Sequence, residues 1–205
     1  MQEREKLLSW NVSKERSANM LNTRFFTLLG IVIAAAAMRL MPHPPNFTPI
    51  AAIALFGGAY FPNQKAAFVV TLAAMYLSDL VLGFWVYGFG GFYATMPFVY
   101  GSFALTVGLG GWVRRHRSPL RIGAAAAMSA VLFFAVTNFG VWLMDGLYPM
   151  TPGGLVACYV AAIPFFRQTL LGNFVYTIVL FGGFALAQRY LPTLRDETAT
   201  AMART

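Results

Sequence analysis

Residues Arg114-Arg115-His116-Arg117-Ser118-Pro119-Leu120-Arg121, followed by Ile122–Met144 (IGAAAAMSAVLFFAVTNFGVWLM), decide the fold class. A cluster of cations abuts an apolar segment without a single charge. The segment is long enough as a helix to cross the ~30 Å hydrocarbon core of a bilayer, which takes about 20 residues. Working outward, five more apolar runs stand at Phe25–Leu40, Phe47–Phe61, Lys65–Trp85, Met96–Val113 and Gln168–Tyr190. None shows the sustained two-residue alternation of a membrane strand. The expectation is an all-α, polytopic membrane protein with six transmembrane helices in one domain, 25–190. A cytoplasmic tail, 1–24, precedes it and a second, 191–205, follows. The small residues Ala34–Ala37 resemble a signal-peptide cleavage site, but the long, partly acidic tail before them and the five later runs read as a retained first span.

Composition supports this reading. Of 205 residues, 58% are hydrophobic and only 11% charged, against roughly 25% charged in soluble domains. The net charge of +8 does not indicate nucleic acid, because the cations lie in short runs between apolar segments. With the amino terminus inside, segments 1–24, 62–65, 114–121 and 189–205 face the cytoplasm and hold thirteen of the fifteen Lys and Arg residues. An even number of spans returns the carboxyl terminus to the same side. This places His43 and His116 on opposite sides of the membrane, which excludes a haem gripped by both. With one cysteine, Cys158, there is no zinc set or internal disulfide, and neither metal nor cofactor is expected. Cys158 reads either as an inert buried thiol or as a ligand to a metal-bearing solute such as a corrinoid.

Depth can be read from the helical rise of ~1.5 Å per residue. Asp79 lies roughly 21 Å above Lys65 and Arg39 roughly 22 Å above Arg24, both in the outer half. Asn138 lies roughly 26 Å above Arg121. Asp145 and Arg167 bound the last outer loop, 145–166, and Asn173 is expected about two turns into the descending sixth helix. The inner half has almost no ionisable side chain. Charges in hydrocarbon are paired or face a wet interior, so the set reads either as ion pairs such as Arg39 with Asp79, or as the lining of a cavity open to the outside. Loop 86–95, with Tyr87, Phe92 and Tyr93 among glycines, reads as a ligand-contacting loop or as an interfacial aromatic belt. His43, Asn46, Trp142 and Tyr159 complete the candidate substrate-binding set. Gly30 with Ala34, and Ala54 with Gly58, have the four-residue spacing of small residues that lets helices approach, within the bundle or against a partner.

Residues Phe47–Tyr60 (FTPIAAIALFGGAY) and Leu77-Ser78-Asp79-Leu80-Val81-Leu82-Gly83 resemble the substrate-binding S components of energy-coupling-factor transporters. The likeness extends in size, span count and termini over 25–190. The segments Pro42–Asn46 and Ala162–Arg167 also resemble a bacterial family of uncharacterised six-helix membrane proteins. The first resemblance implies capture of a vitamin-like small molecule at the outer face of a bacterial inner membrane, with delivery by a transmembrane coupling subunit and two ATPases. It also implies docking through small residues of the first helix, here Gly30 and Ala34. The chain has no Gly-x-x-x-x-Gly-Lys-Ser/Thr loop for ATP, and no catalytic constellation. Two alternatives stand beside the binding subunit. One is a structural or assembly subunit without ligand; the other is an intramembrane hydrolase using Asp79 and Asp145 as a proton-sharing pair.

The topology is open to direct measurement. In a Cys158→Ser background, Ser118→Cys is expected to resist a membrane-impermeant maleimide in intact cells and to react once the membrane is permeabilised. Labelling of intact cells reverses the assigned orientation.

Overall fold

Proline and short polar side chains set the helix boundaries. The computed structural model describes residues 23–42, 44–86 and 93–195. Helix α1 (Thr23–Leu40) ends in a tightened last turn, Met38–Leu40, just before Pro42, Pro44 and Pro45, which lack the N–H a helix would need. Helix α2 is Ile50–Tyr60. Helix α3 (Gln64–Val81) is capped by Asn63, whose Oδ1 accepts from the Ala66 amide at 2.7 Å, and runs on through a wide turn to Val86. Helix α4 is Met96–Arg115. Helix α5 (Pro119–Met144) begins with a Ser118 cap followed by proline, and helix α6 (Pro152–Tyr190) with a Thr151 cap followed by proline. Proline is well suited to the first helical position, where its missing N–H has no intrahelical partner.

Five of these helices are long and apolar enough to cross a membrane, and no strand occurs among the described residues. The outer surface of the bundle is greasy: Phe26, Val69 and Ile178 are each at least 65% exposed. Polar Ser102, Thr106 and Ser129 are fully buried. That inversion suits lipid as the surrounding solvent.

Two expected boundaries differ. In place of six spanning helices there are five of spanning length, because the second apolar run forms the 11-residue α2. At ~1.5 Å per residue it is roughly 16 Å long, about half the hydrocarbon core. Every residue of α2 is buried, so protein and not lipid surrounds it. The expected outer loop 145–166 is also shorter, since α6 begins at Pro152 rather than Gln168. Tyr148-Pro149-Met150-Thr151-Pro152-Gly153-Gly154 reads as a turn cluster before a short helix running through Phe166, yet its second half is already the capped start of α6, which continues without a break past Phe166. Gly154 is needed there because a Cβ would press on the Pro149 carbonyl carbon at 2.9 Å. Pro164 lies inside α6 without ending it, a tolerance common where neighbouring helices re-satisfy the freed backbone groups. The tails 1–22 and 196–205 lie outside the described residues, whereas Leu194, in a short turn after α6, packs into the core.

The helices alternate in direction. At one end, here the basic end, Arg24 of α1 donates to the Tyr60 carbonyl at 3.3 Å. Arg114 of α4 donates to the Gly58 carbonyl at 2.8 and 3.2 Å and to Gln64 at 3.3 Å. These cations satisfy carbonyls at the α2 C-terminus, where the helix leaves them without amide partners and carries partial negative charge. Arg117 lies over the Tyr60 ring at 4.6 Å. Beneath, Phe56, Tyr60, Phe181 and Phe184 form a cluster of edge-to-face and tilted ring pairs with centroids 4.7–5.5 Å apart.

Helices α2 and α4 meet backbone to backbone. A Cβ on Gly58 would lie 2.8 Å from the Gly110 Cα, and one on Gly110 would lie 2.7 Å from the Gly58 Cα. Of the two small-residue spacings, Ala54/Gly58 is therefore internal packing. Gly30 and Ala34 face outward, and a Cβ on Gly30 meets nothing within 4 Å. Gly58→Ala or Gly110→Ala is expected to destabilise the detergent-solubilised protein by about 1–3 kcal/mol through overpacking. Gly30→Ala is expected to be neutral or to stabilise by up to ~1 kcal/mol through helix propensity. Denaturant titration of the three variants checks the contrast.

Candidate functional site

Opposite the basic end, the predicted polar residues separate into two groups. The first is an ion pair. Arg39, at the end of α1, reaches Asp79 of α3 with Nη1 2.7 Å from Oδ1, both side chains only 11–12% exposed. The same Nη1 donates to Ser78 Oγ at 2.6 Å, and the Tyr100 hydroxyl of α4 donates to Asp79 Oδ2 at 2.7 Å. Both carboxylate oxygens are thus engaged and three helices are tied together. Tyr93, just before α4, lies close enough for its phenol pKa to be pushed up, by burial first and then by the Asp79 carboxylate, with Arg39 opposing. Ser78 and Tyr100 were not evident from sequence as members of this cluster. Ser78 adjoins Asp79 in the chain, but Tyr100 comes from another helix and carries no local signal.

The second group borders a partly open cavity of about 220 Å³ between α4, α5, α6 and the turn before α2. Its polar lining is Asn46, Thr95, Thr137, Asn138 and Thr169. Phe133 and Phe134 of α5 and Phe165 and Phe166 of α6 supply its aromatic walls. Asn46 has φ +62°, a left-handed conformation that Asn tolerates better than most residues, within the turn closed by the Phe47 amide on the Pro44 carbonyl at 3.0 Å. Thr137, Asn138 and Thr169 each donate to a carbonyl four residues back in their own helix, at 2.7, 2.8 and 3.1 Å. Both hydroxyl donors and one of the two Asn138 Nδ2 hydrogens are thereby occupied, while oxygen lone pairs remain available. No charged residue lines this cavity among the described residues. Thr137 and Thr169 escaped the sequence reading, although Thr169 stands one helical turn before Asn173.

The other predicted residues have separate roles. Trp142 Nε1 donates to the Pro149 carbonyl at 3.0 Å and secures the α5–α6 connection. Tyr159 and Cys158 bind α6 to α5, donating to the Ala135 carbonyl at 2.6 Å and the Asn138 carbonyl at 3.4 Å. Cys158 is buried. Asp145 is exposed at the end of α5, and Arg167 is exposed on α6. Asn173 lies deeper than expected. It is 1% exposed and bonds Ala126 and Ser129, in the lower half of α5. The early start of α6 accounts for this, since Asn173 stands 21 residues into the helix. His43, Tyr87 and Phe92 lie outside the described residues. No group of three or more His, Cys, Asp or Glu suited to a metal occurs among the described residues.

The helix lengths, the greasy exterior and the internal polar groups define a multi-pass α-helical membrane protein. The chain belongs to a family of unknown function, DUF6580, which it matches over residues 19–194. No curated protein and no solved structure matches it.

Removing one partner of a buried ion pair leaves an uncompensated charge. Arg39→Ala is therefore expected to cost about 3–5 kcal/mol, and Arg39→Gln with Asp79→Asn together clearly less than the single change. Denaturant unfolding in detergent measures both.

Proposed function

We propose that this protein is a membrane-embedded binding subunit for uptake of a small, vitamin-like solute, held in the Asn46–Asn138–Thr169 cavity. The reading rests above all on one observation: a partly open, uncharged cavity with acceptor oxygens and aromatic walls lies above a half-bundle filled by α2. Aromatic faces favour flat apolar surfaces. The oxygens of Thr137, Asn138 and Thr169 favour N–H and O–H donors. The preferred solute is then uncharged, partly planar and rich in hydrogen-bond donors.

In this reading the basic end and both tails lie in the cytoplasm of a bacterial inner membrane, following the positive-inside distribution, and the cavity opens outward. Energy for uptake comes from a transmembrane coupling subunit with ATPases, since the chain lacks a phosphate-binding loop. That subunit meets α1 at the outward-facing Gly30 and Ala34, where the backbone is open to close approach. Engagement of Asp79 by Arg39 and Tyr100 supports binding over hydrolysis, because a proton-sharing pair requires Asp79 to be available to Asp145.

Protein purified from its native host in mild detergent is expected to carry a small molecule identifiable by mass spectrometry. Asn138→Leu is expected to lower its occupancy at least about tenfold, equivalent to ~1.4 kcal/mol. Wild-type protein carrying nothing, with Asn138→Leu equally stable, would instead favour a structural subunit.

A further inference from the structure

We infer that a lateral groove on the outward face of α4, between α3 and α5, holds one phospholipid of the leaflet away from the basic end. One acyl chain lies along Gly101 and Leu105, and the glycerol ester region lies at Tyr76, Tyr93 and Tyr100. The groove is separate from the solute cavity and does not depend on it. Thr95 and Val99 of α4 line the cavity, whereas Met96, Pro97 and Tyr100 line the groove.

The groove follows from side-chain size. Phe98 is drawn against α5, where a Cβ on Gly140 would lie 2.9 Å from the Phe98 Cβ. Its ring meets that of Phe139 with centroids 6.2 Å apart. Next along α4, Gly101 is exposed and bare, and a Cβ there would meet nothing within 4 Å. Ala104 adds only a methyl group. Phe68 of α3 and Val136 of α5 then bank an open cavity of about 500 Å³, with Leu105 at its lower end. Above it stands a second open cavity, about 450 Å³, lined by Tyr76 of α3 and by Tyr93, Met96 and Tyr100. Pro97 borders both, so the two adjoin along α4.

Length, polarity and position select the same occupant. From Met96 to Leu105 the groove runs roughly 14 Å along the helix, about the depth of one leaflet in a ~30 Å hydrocarbon core. The lower cavity is lined by apolar residues alone, while the upper one adds three phenols. Tyrosine is favoured at the boundary between membrane and water, and Tyr93 is 43% exposed. Hydrocarbon below and hydroxyl above is the gradient of a phospholipid standing in its leaflet. No charged side chain lines either cavity among the described residues. Asp79, bonded to Tyr100, is neutralised by Arg39. The contact is therefore with the ester region, and headgroup charge does not decide it. Water would find no hydrogen-bond partners in the lower cavity. An acyl chain there touches protein on several sides, whereas one on a convex helix touches it on a single side. The added dispersion contacts hold it longer than the surrounding lipid.

Native mass spectrometry of the full chain, extracted in mild detergent, measures retention. Wild type is expected to keep one phospholipid after prolonged washing. Gly101→Leu fills the groove and is expected to lower the retained fraction at least about tenfold. Gly123→Leu is the same change at another glycine where a Cβ meets nothing within 4 Å, lines neither cavity, and is expected to retain the lipid as wild type does. Crosslinking of wild type locates the lipid without any substitution. The probe is phosphatidylethanolamine with a mid-chain diazirine, in vesicles containing the protein. Its adducts are expected to fall on Met96–Leu105 and Phe68 several-fold more often than on Val156, Val160 and Ile163, which are 57–61% exposed on α6. Wild type that keeps no phospholipid, equal retention by Gly101→Leu, or adducts spread evenly over α4 and α6 overturns the inference. So does a wild-type dimer that Gly101→Leu converts to monomer, which makes this face a contact between copies.

Discussion

An 11-residue helix enclosed entirely by other helices needs every backbone group at its ends accounted for, and the rest of this bundle is arranged around that need. Lipid offers no hydrogen bonds, so the carbonyls ending α2 require partners from the protein. Arg24 and Arg114 come from the ends of two different helices and converge on Tyr60 and Gly58. Their reach depends on α2 lying against α4 at backbone distance, which the facing Gly58 and Gly110 permit. The same arginines contribute to the charge bias expected to orient the chain. A topology signal and a helix cap are here the same side chains.

At the opposite end, charge and cavity are kept apart. Arg39 and Asp79 neutralise each other and are further held by Ser78 and Tyr100, so the pair fixes helices α1, α3 and α4. The cavity bordered by α4, α5 and α6 is lined by amide, hydroxyl, aromatic and aliphatic groups, with no charged side chain among the described residues. An ionic solute entering there would lose hydration without meeting a counter-charge, a loss that a neutral solute does not suffer.

Helix α6 links the features of the molecule along one rod. Its first turns are bound to α5 through Cys158 and Tyr159. Its middle supplies the cavity wall at Phe165, Phe166 and Thr169 and then the buried Asn173 and Thr177. Its last turns close the basic end with Phe181, in the widened segment Ile178–Gly182, and Phe184 just beyond it. Pro164 and the wide turn Ile178–Gly182 mark α6 above and below the polar stretch.

The sequence alone was enough to show an α-helical membrane protein, because apolar length and cation placement are one-dimensional properties set by bilayer thickness. It also placed Arg39 and Asp79 at one height, since the helical rise turns residue counts into depth, and the ion pair bears this out. Three matters required the tertiary structure. Whether an apolar run meets lipid or protein depends on its neighbours, so the burial of α2 is invisible in Phe47–Phe61. Whether Pro152 and Pro164 stop a helix depends on what satisfies the adjacent backbone, so residue spacing alone makes α6 too short and sets Asn173 too shallow. Finally, which polar residues share a cavity depends on how α4, α5 and α6 are rotated against each other. Helical rotation leaves no trace in residue spacing when, as along α5 and α6, apolar residues occupy every face.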